Sequence, residues 1–68
     1  MTVERMLKQL RRDANYKYME WSSAMYKAFN ARCRGDYKEA NFYSNREEYL
    51  HSEFVKLITA IEVIEKRV

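Results

Sequence analysis

Three groups of residues in this chain are of types and spacings that could do chemistry. The first is Glu48-Tyr49-Leu50-His51, a carboxylate and an imidazole three residues apart. On a helix that spacing projects both side chains from one face, where they could share a metal ion. Glu20 is the acidic residue expected opposite His51 once the chain folds back on itself. Two copies of Glu20, Glu48 and His51 at a dimer interface would supply four carboxylates and two imidazoles. The second group is Arg5, Lys8 and Arg12, spaced by 3 and 4, with Arg11 and Tyr16 beside them. This basic stripe ending in an aromatic could neutralise phosphates and stack on a base, as a nucleic acid or an anionic nucleotide requires. The third is Cys33 between Arg32 and Arg34, a setting that favours a thiolate.

Each group has a plainer explanation. Glu48 is then a solvated charge and His51 an interface residue, while the basic stripe is an outer helix face complementing acids of a second helix. Cys33, the only cysteine, becomes a small apolar residue in a reducing compartment. No nucleophile–base pair, glycine-rich phosphate loop or zinc pattern accompanies them, so conventional catalysis is not expected. A metal-dependent oxidase is the exception, if Glu48 and His51 bind iron. No cofactor is expected otherwise.

The elements that must position these groups are read from the punctuation. Gly35 is the single glycine in 68 residues, and there is no proline. Glycine suits the left-handed position just past a helix C-terminus, and Asp36 suits the N-cap of a following helix. Glu39 completes the spacing of a capping box. The expected architecture is all-α: a two-helix antiparallel hairpin forming a single domain over residues 1–68. Its helices cover about 2–33 and about 37–67, joined by a turn at 34–36.

Apolar or small residues recur in the first helix at Val3, Leu7, Leu10, Ala14, Tyr18, Trp21, Met25 and Ala28, with one extra residue between Ala14 and Tyr18. In the second the seam runs without a break through Ala40, Tyr43, Glu47, Leu50, Phe54, Leu57, Ile61, Ile64 and Val68, apolar or small but for Glu47. Such heptad-like spacing marks coiled-coil seams. Paired antiparallel, the residues that meet have numbers adding to 71 or 72, from Val3 with Val68 to Ala28 with Tyr43. The outer faces carry Glu4–Lys8 and Asp13–Lys17 as helical ion pairs. Glu47 is the one charge in the second seam.

Apolar residues remain off the seams. Tyr26, Phe29, His51, Val55 and Ile58 are the expected interface, because leaving such residues wet would expose a large patch. A homodimer forming a four-helix bundle, or a higher oligomer, would cover them.

Gly35-Asp36-Tyr37-Lys38-Glu39-Ala40, followed by Phe42-Tyr43, resembles the inter-helix turn of tetratricopeptide repeats, where such a stretch lets two helices pack closely. The doubled set of Glu20, Glu48 and His51 resembles the ligand set of ferritin-like proteins, notably the short two-helix encapsulated type. What that resemblance implies is a di-metal carboxylate site.

The chain carries +3 overall, divided as +5 over residues 1–35 and −2 over 36–68. No signal peptide or membrane-spanning run is apparent, so a cytoplasmic location without membrane contact is expected. The expected function is that of a small non-enzymatic homo-oligomer that binds a protein partner. An adaptor or inhibitor of the kind encoded by phages and mobile elements would fit. Nucleic-acid or nucleotide binding through Arg5, Lys8, Arg11, Arg12 and Tyr16 is the alternative, and the di-metal site is the second.

Overall fold

The structure is a computed structural model that describes residues 2–67. Two helices of equal length, α1 (Val3–Cys33) and α2 (Tyr37–Arg67), fold back on each other as an antiparallel hairpin. The result is a rod, with Cα extents of 49 × 14 × 14 Å.

Local chemistry sets the ends. The Thr2 hydroxyl accepts a hydrogen bond from the Arg5 N–H at 3.2 Å and caps α1. At the other end, the Asp36 N–H reaches the Ala31 carbonyl (2.9 Å) and the Gly35 N–H reaches that of Arg32 (3.0 Å). These two bonds form a Schellman motif, which needs a left-handed residue, and Gly35 has φ of +79°. The Asp36 carboxylate then accepts from the Glu39 N–H at 3.1 Å and caps α2. Only half of the expected capping box forms. The Asp36 N–H is already taken by Ala31, so the Glu39 carboxylate turns to Arg34 instead, at 2.9 Å.

The helices meet along an unbroken heptad seam, and this corrects the pattern expected for α1. The least exposed residues of α1 follow Leu7, Leu10, Ala14, Lys17, Trp21, Ala24, Ala28 and Ala31, alternating steps of 3 and 4. The expected extra residue near Ala14 is absent. Tyr18 and Met25 lie beside the seam, 48% and 47% exposed, while Lys17 and Ala24 hold the places assigned to them. Close approach of the backbones explains the choice. Alanines at 14, 24, 28, 31 and 40 are buried, so the helices approach more closely than tyrosine or methionine at those points would allow. Lys17 is half-buried there, as suits a side chain that can lay an apolar stem along a seam and leave its ammonium in water. Val3 is exposed at the open end of the hairpin, and its expected partner Val68 lies outside the described residues.

In α2 the expected seam is the observed one, with Ala40, Leu50 and Ile61 buried and Tyr43, Glu47, Phe54, Leu57 and Ile64 half-buried. The register also agrees. The ring pairs Tyr18–Phe54 (5.8 Å) and Trp21–His51 (4.8 Å) have numbers adding to 72.

Candidate functional site: an apolar flank and a basic face

The seam divides the rod into two flanks, identified by the polar pairs that cross between the helices. On one flank Arg11 pairs with Glu65 (3.6 Å) and Arg32 donates to Ser44 (2.7 Å). On the other, Arg46 pairs with Glu20 (3.4 Å) and the Lys27 ammonium lies 5.5 Å from the Tyr43 ring centre. Antiparallel heptads require this arrangement, because like flanking positions of the two helices face each other.

The Arg11–Glu65 flank is mainly aromatic and aliphatic through its middle, with Glu47, Glu48 and His51 as the polar groups beside Trp21. Tyr18, Trp21, His51 and Phe54 form one aromatic cluster there, with near-perpendicular ring contacts at 5.7–6.2 Å among Tyr18, Trp21 and Phe54. His51 tilts against Trp21 at 4.8 Å. Met25 and Phe29 extend the surface towards the turn on α1, and Val55 and Ile58 extend it on α2. Helical periodicity thus gathers four of the five expected interface residues, Phe29, His51, Val55 and Ile58, on one side. Tyr26 stands on the outer face of α1 next to them and is exposed. The opposite flank carries Glu20, Ser23, Lys27 and Arg46 around a small groove that Ala24 and Tyr43 also line.

The proposed metal ligands are not brought together within a protomer. Glu20 lies at nearly the height of His51 along the rod, as the numbering implied, but on the opposite flank, held by Arg46. Glu48 and His51 share a hollow with Trp21 and Glu47 on the apolar flank. No group of three or more His, Cys, Asp or Glu side chains with metal-binding proximity occurs among the described residues.

The basic residues behave differently from one another. Arg5, Lys8 and Arg12 line one depression on the outer face of α1, together with Gln9. Arg11 is drawn off towards Glu65 across the seam. Tyr16 is exposed one turn beyond Arg12. Asp13, expected to pair with Lys17, accepts a hydrogen bond from the Gln9 amide at 3.0 Å. Cys33 ends α1 as a free, exposed thiol.

No known family model matches this chain, and no curated protein or solved structure matches it significantly. No helix among the described residues is long and apolar enough to cross a membrane.

Proposed function

We propose that the chain is a non-enzymatic interaction module whose first partner is a second copy of itself, seated on the apolar flank. One observation carries this: the protomer exposes more surface than a chain of its mass should. A compact 8.3 kDa monomer would expose about 4,600 Å², whereas this one exposes 5505 Å². The excess, about 900 Å², is close to the roughly 800 Å² that each partner gives to a standard protein interface.

Pairing two hairpins through Tyr18, Met25, Phe29, His51, Val55 and Ile58 gives a four-helix bundle whose centre is mainly apolar, with His51 and the neighbouring Glu48 as its polar groups. The polar flanks, with their Glu20–Arg46 pairs, then face water. The adaptor or inhibitor role follows from what such a bundle still offers a different protein, the exposed aromatics Tyr26, Phe42 and Tyr49. The deciding experiment is the mass in solution. A species of twice the 8.3 kDa protomer mass is expected, and a monomer at all accessible concentrations refutes the proposal.

A further inference from the structure

We infer that the outer face of α1 near the open end of the rod is a binding site for single-stranded nucleic acid, separate from the dimer flank. The argument begins with where the charge lies. Residues 1–17 and 54–68, which form the open half, carry eight Lys/Arg against four Asp/Glu, a net +4. Residues 18–53, the turn half, carry five against six, a net −1. The net positive charge of the chain therefore lies in one half of a 49 Å rod, where its potential attracts polyanions.

Within that half the cations fall into two kinds. Arg11 is paired with Glu65 and Lys56 with Glu53. Arg5, Lys8 and Arg12 form no ion pair among the described residues and line one depression together with Gln9. Asp13, next to Arg12, accepts from the Gln9 amide, and the expected Glu4–Lys8 ion pair does not form among the described residues. Tyr16 follows one turn later with its ring in solvent.

Arg5 to Tyr16 spans about 16 Å of helix at about 1.5 Å per residue. Three phosphate-seeking cations in a row with a stacking ring at the end suit an extended strand with an unpaired base. A duplex offers the phosphates but keeps its bases stacked, so it leaves Tyr16 idle. Arg5, Arg12 and Tyr16 point away from the apolar flank, and Lys8 lies towards the open end beyond the aromatic cluster. Pairing of two copies leaves the site accessible.

The test uses the full-length chain and a fluorescein-labelled oligothymidine, read by anisotropy over a salt series. Three neutralised phosphates give a slope of log affinity against log salt of about −2, or about a twentyfold loss between about 50 and about 200 mM. Arg5→Ala, Lys8→Ala and Arg12→Ala are each expected to flatten the slope by about 0.7. Tyr16→Ala is expected to weaken binding about fivefold or more without changing the slope. Tyr37→Ala, an equally exposed tyrosine at the turn end, is expected to change nothing. Circular dichroism checks that each variant stays helical, and the solution mass is recorded alongside, so failure of this site is separable from failure of the dimer. No binding at about 50 mM salt, an unchanged slope in the triple-alanine variant, or equal losses for Tyr16→Ala and Tyr37→Ala overturns the inference. Preference for anionic lipid vesicles over the oligonucleotide overturns it too.

Discussion

Truncating Met25 to alanine gives the sharpest test of the dimer, because its effect can be worked out from the protomer. The side chain lies on the apolar flank and is 47% exposed. Burying a whole methionine is worth about 1.5–3 kcal/mol, so the half still uncovered is worth about 1 kcal/mol on pairing. A two-fold dimer contains the residue twice. Met25→Ala should thus cost about 2 kcal/mol of association, or about thirtyfold in Kd. Phe29→Ala should cost at least as much, since Phe29 is 59% exposed and larger. Helicity should persist, because alanine is the better helix former and neither side chain is in the seam. Sedimentation equilibrium across a concentration series measures the effect, with Tyr49→Ala as the control, an exposed residue away from the apolar flank. Unchanged dissociation constants for Met25→Ala and Phe29→Ala, or an equal shift for Tyr49→Ala, would refute the assignment of the interface.

Other substitutions test the hairpin itself. Leu50 is the largest side chain with almost no exposure, at 1%, so Leu50→Ala should destabilise the fold by about 2–5 kcal/mol in thermal unfolding. Ala28 has none, and Ala28→Leu should cost about 1–3 kcal/mol by forcing the helices apart, with a matching fall in melting temperature. At Gly35 an added Cβ meets nothing within 4 Å, so Gly35→Ala should cost only the left-handed penalty of about 1–2 kcal/mol, and Gly35→Asn less. Lys17→Leu should raise the melting temperature if Lys17 occupies the seam. If Tyr18 occupied it instead, the new leucine would be solvent-exposed and the melting temperature would not rise.

The hairpin was legible because its signals are local and unambiguous. One glycine followed by an N-capping aspartate can end one helix and begin the next with no help from distant residues. The registry was legible for a related reason: once the fold-back point is known, helical rise fixes which residues meet. The exact seam of α1 was not, and the cause is physical. Reading for apolar residues favours Tyr18 and Met25 over Lys17 and Ala24. Packing two helices closely favours whatever is small or has a flexible stem. Size and shape decided those positions, and hydrophobicity scales do not measure either.

The candidate sites show the same division between height and side. The numbering placed Glu20, Glu48 and His51 at nearby heights along the rod. It did not say that Glu20 stands on one flank and His51 on the other. A corrected α1 heptad supplies that information: with Ala24 in the seam, Glu20 and Lys27 fall on one side and Tyr18 and Met25 on the other. The same correction turns Tyr18 and Met25 from expected core into expected interface, adding them to Phe29, His51, Val55 and Ile58. The basic stripe was legible from spacing alone, but the loss of Arg11 from it was not. That loss depends on Glu65, 54 residues away in sequence and brought near only by the fold. Long-range ion pairs of this kind decide which cations remain free to meet an anion, and a linear charge pattern overcounts them until the partner helix is in place.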